Sequence, residues 1–195
     1  MTTIIPIVEG HGEVTAVPIL IRRILAEHAP DFAATVARPI RTPKDALLVE
    51  GGVERAVELA ARQTQPGDGI LILIDADKLC PAEVARDLLH RATTRRPDRR
   101  IRAVLAKAEF EAWFLAGARS LRGRRGLADD LTPPSNPEQV RDAKGWLSER
   151  CARGQSYKPT IDQPALSQTV DLHEALAAPS FAKFVRDIVS LVSPE

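Results

Sequence analysis

The sequence predicts an α/β fold: a mostly parallel four-stranded sheet flanked by helices, followed by a helical C-terminal extension. Three observations carry this expectation. Two short aliphatic runs, Ile4-Ile5-Pro6-Ile7-Val8 and Ile70-Leu71-Ile72-Leu73-Ile74, suit strands buried on both faces of a parallel sheet. Segments of helical period alternate with strand-like runs in the order β-α-β-α-β-α-β-α, the signature of helices packed on such a sheet. Carboxylates stand directly beyond both aliphatic runs, in Glu9-Gly10-His11-Gly12-Glu13 and in Asp75-Ala76-Asp77-Lys78. Open α/β sheets bind their ligands in the crevice beyond the carboxyl ends of such strands.

The first strand is expected over about Thr3–Val8. A helix over Glu13–Glu27 follows, with Val14, Val17, Leu20, Ile21, Ile24 and Leu25 at helical spacing. Pro18 is tolerated in a first turn, which places the start of regular bonding near Thr15. Thr35–Ile40 reads as the second strand and Val53–Gln63 as a helix. The turn Pro66-Gly67-Asp68-Gly69 leads into the third strand, Ile70–Ile74. Pro81 opens a helix to about Thr93, Ile101–Leu105 is the fourth strand, and Ala108–Ala116 reads as helical. Beyond Gly117 the composition changes. Arg119–Pro137, rich in Arg, Gly, Asp and Pro, reads as a long mobile loop that is functional or faces a partner. A helix over Pro137–Cys151 is expected to bury Val140, Ala143, Trp146 and Leu147. A terminal helix over Phe181–Leu191 is expected to bury Phe181, Phe184, Val185, Ile188 and Val189. The organisation is a core over residues 1–118 with an extension over residues 119–195 packed on it, as a single compact domain.

Composition limits the function classes. The chain has 195 residues, enough for one sizeable core. Its formal net charge is +1, so nucleic-acid binding would rest on a local patch and not on a polycationic surface. Its 2 cysteines, Cys80 and Cys151, stand far apart, and its 4 histidines follow no metal-ligand spacing. That argues against a disulfide framework and a structural zinc site. No apolar run reaches membrane-spanning length and no leader pattern opens the chain; a cytoplasmic protein is expected.

The strand-end acids carry the chemistry. Glu9 precedes a glycine-rich turn into a helix, where backbone N–H groups and the helix terminus suit a phosphate; Gly10, His11 and Gly12 form that expected cradle. Asp75 and Asp77 project to the same side of an extended strand end, because side chains alternate with period two. Glu109 and Glu111 follow the fourth strand. Glu13 and Glu109 read mostly as helix-start and turn residues. Clustered carboxylates need a neutralising cation, and hard oxygen ligands suit Mg²⁺ or Mn²⁺.

The order of strand, Glu9-Gly10, helix, and later strand with Asp75-x-Asp77 resembles a Toprim domain, the catalytic module of topoisomerases, bacterial primases, small ribonucleases and OLD-type nucleases. The closer resemblance is to a bacterial domain of unknown function (family 4276) with a Toprim-like core. It is carried by Val8-Glu9-Gly10, Asp75-Ala76-Asp77 and Glu111-Ala112-Trp113-Phe114. A tail from Tyr157-Lys158 through Asp162-Gln163 to Ser180-Phe181-x-Lys183 completes it. The resemblance implies a Rossmann-like Toprim sheet, Mg²⁺ (or Mn²⁺) held by Glu9, Asp75 and Asp77, and Glu111 as the fourth acid. It also implies an ATPase partner in a phage-defence or toxin-like system. No tyrosine or zinc-ribbon segment of a topoisomerase or primase is present, which argues against those activities.

The expected activity is metal-assisted phosphodiester hydrolysis in DNA or RNA, with Lys78 or Lys107 adding positive charge at the transition state. Arg119, Arg122, Arg124 and Arg125 form a basic cluster that can track a nucleic-acid backbone; Arg95, Arg96, Arg99, Arg100 and Arg102 form another, and either also reads as a solvated or salt-bridged face. Two alternatives stand beside the nuclease. One is another metal-dependent phosphoryl-transfer enzyme, such as a haloacid-dehalogenase-type phosphatase, disfavoured because no Gly-Thr follows Lys78. The other is a non-catalytic subunit that binds nucleic acid or an ATPase. The sequence leaves the oligomeric state open, a homodimer included.

Overall fold

The computed structural model describes residues 1–193; the last two residues of the expected extension lie outside them. In chain order the first elements are β1 (Thr2–Val8), α1 (Glu13–His28), β2 (Ala34–Val36), β3 (Ile40–Arg41), α2 (Lys44–Leu48), α3 (Gly52–Ala61) and β4 (Gly69–Asp75). They are followed by α4 (Pro81–Arg95), β5 (Arg100–Ala106), α5 (Ala112–Ala116), α6 (Ala143–Glu149), α7 (Pro159–Thr169), α8 (Leu172–Ala175) and α9 (Pro179–Val192).

Every pairing in the sheet is parallel, in the order β2-β1-β4-β5, with β3 also pairing β1. The predicted second strand is thus two short segments, which makes five strands from the expected four. Thr2 pairs with Ala34 at one end of β1 and Val8 with Arg41 at the other. Pro39, which has no N–H to give a ladder, falls between the two segments.

Strand alternation builds two cores. Ile4 and Val8 of β1, Leu71 and Leu73 of β4, and Val104 of β5 face one layer with α1, α9 and most of the C-terminal extension. Ile5 and Ile7, Ile70, Ile72 and Ile74, and Ile101 and Leu105 face the other, against α3 and α4. The register agrees, with Ile5 beside Ile70 and Ile70 beside Ile101. From β1 the chain crosses through α1 to β2; from β4 it crosses through α4 to β5 on the opposite side. The strand order therefore reverses between β1 and β4, the place where such sheets form a ligand crevice.

Four local expectations change. Pro18 lies in the second turn of α1 and the helix runs through it. Ala108–Glu111 is bend and turn, not helix, and the Phe110 N–H donates to Asp75 Oδ1 (2.7 Å). Arg119–Pro137 is a packed strap rather than a mobile loop: Leu121, Leu127 and Leu131 are buried, and Leu127 bridges to Cys151. The Pro137–Cys151 helix is a single 3₁₀ turn, then α6, with Trp146 only half-buried under the Arg150 guanidinium (3.9 Å to the ring centroid). The sequence reading also lacked α2, α7 and α8. Trp113, Phe114 and the α9 face pack as expected, with Trp113 in contact with Phe110, Phe181 and Phe184 at ring separations of 4.8–5.2 Å. Among the described residues, no helix is long and apolar enough to cross a membrane.

Candidate functional site

The site assembles at the reversal point. Glu9 is the first residue past β1, and its Oε2 accepts the Asp75 N–H at 3.3 Å, which ties the ends of β1 and β4 together. Glu13 opens α1 and folds back: its Oε2 accepts the N–H groups of Glu9 (3.0 Å) and Gly10 (3.1 Å). Asp75 ends β4 and shares the parity of Leu71 and Leu73, so it faces the side of the extension. Its Oδ1 takes the Phe110 N–H already described.

The turn after β5 supplies Glu109 and Glu111, and the extension supplies the groups that hold them. Glu111 is fully buried; its Oε1 accepts hydrogen bonds from the Tyr157 hydroxyl (3.0 Å) and Gln163 Nε2 (2.8 Å). Lys144 of α6 reaches into the cluster. Its Nζ lies 2.9 Å from Glu111 Oε2, 3.1 Å from Glu109 Oε2 and 3.7 Å from Asp75 Oδ2.

Burial and crowding set the charges. Burial pushes the Glu13 carboxyl up to about 7, the two backbone bonds oppose this, and the charges of Glu9 and Glu111 reinforce it. Asp75 is held well above the usual carboxylate range, first by burial and then by Glu13, with Lys144 opposing. Burial works to lower the Lys144 pKa, but the charges of Glu111 and Asp75 overcome it and hold the amine above the ordinary lysine value. Burial and the Glu111 charge keep the Tyr157 phenol protonated. The cluster gathers five carboxyl groups, and one ammonium neutralises only part of their charge.

The predicted residues divide. Glu9, Asp75 and Glu111 come together. Asp77 does not join them, because period-two alternation holds only along extended backbone and Asp77 sits at φ 47°. Its exposed carboxylate pairs instead with Lys44 of α2, whose Nζ also lies 3.4 Å from the Asp75 carbonyl oxygen. Lys78 is exposed and lines a crevice of about 900 Å³ with Lys44, Asp77, Glu109 and Arg141. Lys107 lines a different groove, between α4, β5 and α9. His11 is exposed. The Gly10 N–H, expected to face a phosphate, serves Glu13. Gly12 packs against α7, where a Cβ would collide with Gln163 Oε1 and stand 2.6 Å from the Pro159 carbonyl oxygen.

The two arginine clusters differ in how they are held. Arg119, Arg122, Arg124 and Arg125 are all exposed; of them, Arg122 Nε donates to the Leu131 carbonyl (2.7 Å) and Arg125 Nε to Asp162 (2.9 Å). In the other cluster, Arg96 pairs with Asp98, Arg99 binds the Ala61 and Thr64 carbonyls, Arg100 the Leu191 carbonyl and Arg102 the Ser190 hydroxyl.

Sequence reasoning missed Lys44 and Lys144, and read Glu13 and Glu109 as local residues. No local pattern marks the two lysines. Tyr157 and Gln163 did carry a signal, since both stand in the tail pattern. That tail ties itself to the Glu111-Ala112-Trp113-Phe114 stretch: Tyr157 and Gln163 hold Glu111, and the Ser180 hydroxyl accepts the Trp113 indole N–H (2.8 Å).

The sequence model of a protein family described as Domain of unknown function (DUF4276) matches residues 8–188. The chain belongs to this family. No curated protein and no solved structure gives a significant match.

The acceptors around Lys144 Nζ are oxygens of Asp75, Glu109 and Glu111, a hard donor set of the kind that suits a divalent cation. The point where three of them meet is filled by the Lys144 ammonium. Among the described residues, no group of three or more Asp, Glu, His or Cys side chains stands ready to hold a metal ion as placed.

Proposed function

We propose that this DUF4276 chain is a Toprim-type, metal-dependent nuclease that hydrolyses phosphodiester bonds in DNA or RNA. One observation carries the reading. Carboxylates from three distant stretches of the chain meet at the β1/β4 reversal point with more negative charge than Lys144 neutralises, beside a crevice lined by Lys44, Lys78 and Arg141. Acids that demand a cation and adjacent amines that suit phosphate are the two halves of such a site.

Asp75, Glu109 and Glu111 would hold Mg²⁺ or Mn²⁺, with Glu9 tied to the Asp75 N–H beside them; the bound cation would lower the pKa of a water and offset charge on the reacting phosphate. Lys44, Lys78 and Arg141 bind and orient the phosphate backbone. Glu13 closes the turn behind Glu9, its carboxyl accepting the Glu9 and Gly10 N–H groups. Asp77 keeps Lys44 at the rim. The resemblance to Toprim families extends the proposal to a phage-defence or toxin effector that works with an ATPase.

The test incubates the purified protein with plasmid, single-stranded DNA and tRNA in Mg²⁺, Mn²⁺ or EDTA, beside Asp75→Asn. Metal-dependent cleavage that falls by ~100-fold or more in the variant is expected. Equal cleavage by the variant removes Asp75 from the chemistry. Silence on every substrate favours the non-catalytic reading, a subunit that docks on a partner.

A further inference from the structure

Lys144 sits outside the sheet core, on the seven-residue helix α6. Its helix is anchored by Asp142, whose Oδ1 accepts the Gly145 N–H at 2.7 Å, and its own N–H donates to Glu109 Oε2 at 3.3 Å. The side chain is 39% exposed, whereas the Glu111 side chain that it meets is 0% exposed. The ammonium therefore enters a buried carboxylate cluster from the solvent side, along a stem that water already reaches.

We propose that Lys144 is the resident cation of this site and that a divalent cation binds only by displacing its ammonium into solvent. The proposal rests on the metal reading above. Two cations cannot share the point where Asp75, Glu109 and Glu111 converge. They would need the same oxygen lone pairs, and like charges a few ångströms apart repel strongly in a poorly solvated pocket. The exchange is cheap for the protein. A lysine stem is flexible, its charge is compact and strongly hydrated outside, and it leaves along an exposed path without opening the apolar core. Glu111 stays in place because Tyr157 and Gln163 hold its other oxygen. In the absence of metal, the same ammonium keeps three crowded carboxylates from repelling one another.

Isothermal titration with Mn²⁺ on wild type and Lys144→Met gives the first measurement. The second is acylation of Lys144 in the wild type, read by mass spectrometry with and without saturating Mn²⁺, which needs no folded variant. The expected results are Mn²⁺ binding at least tenfold tighter in Lys144→Met, and faster acylation of Lys144 once Mn²⁺ is bound. Equal or weaker Mn²⁺ binding by folded Lys144→Met, or acylation that is unchanged or slower at saturating Mn²⁺, overturns the displacement and leaves the metal site standing. No Mn²⁺ binding to the wild type or to the folded variant overturns the metal reading and the displacement together. If Lys144→Met does not fold, the wild-type measurements decide.

Discussion

Glu111 concentrates the argument at the scale of one residue: a fully buried carboxylate whose oxygens divide between two neutral donors and one ammonium. Removing a donor strips a hydrogen bond from a charged buried group, so Tyr157→Phe is expected to cost about 1.5–3 kcal/mol in urea unfolding. A cost near zero would mean that the bond is not made. Glu13 gives a pH signature. Its folded pKa, about 7, lies above the ordinary carboxylate value, so the folded state binds the extra proton between about pH 4.5 and 7. The stability it contributes is complete below the unfolded pKa and is lost as pH rises through 7, at most ~3 kcal/mol. In EDTA, the Tm of Glu13→Gln relative to wild type should climb between pH 5 and pH 8. A difference independent of pH would contradict this. At this scale the sequence showed Glu9, Asp75 and Glu111, because each stands just past a strand or in a motif. It placed Asp77 wrongly, since nothing local reveals a left-handed φ. Lys144 was invisible, because its partners lie far away in the chain.

At the scale of elements, the aliphatic runs and helical periods recovered β1, β4, β5, α1, α3, α4 and α9 to within a few residues, while β2 and β3 were read as one strand. Hydrophobic period is set by burial, and these elements bury full faces. The extension resisted because α6 and α8 are short and α7 has a mixed polar and apolar surface, so their positions come from tertiary contacts. The Gly12–α7 contact is the clearest case. Gly12 has ordinary helical dihedrals (φ −66°, ψ −39°), so its requirement is close approach and not conformational freedom. Gly12→Ala should push α7 and Gln163 away from Glu111, at a cost of about 1–3 kcal/mol from overpacking. A variant as stable as wild type would show that α7 tolerates the shift. Ser180→Ala leaves the buried Trp113 indole N–H without its acceptor, and a loss of about 1–3 kcal/mol in the same unfolding assay is expected. No loss would mean that water replaces the hydroxyl.

At the scale of the whole molecule, the two halves depend on each other. The sheet brings Glu9 and Asp75 to one edge, and the extension adds the groups that hold Glu111 and the ammonium that meets all three later acids. The family match over residues 8–188 spans both halves. The fold class was legible because strand order follows from alternating periods. The site was legible only for its core-borne acids. The central claim is that these carboxylates form a divalent-cation site. Anomalous diffraction from crystals soaked in Mn²⁺ tests it most directly. The account predicts a Mn²⁺ peak at bonding distance from the Asp75 and Glu111 carboxylates, with Lys144 turned outward. Crystals that bind no Mn²⁺ there, with the Lys144 ammonium still seated on the three carboxylates, would contradict it.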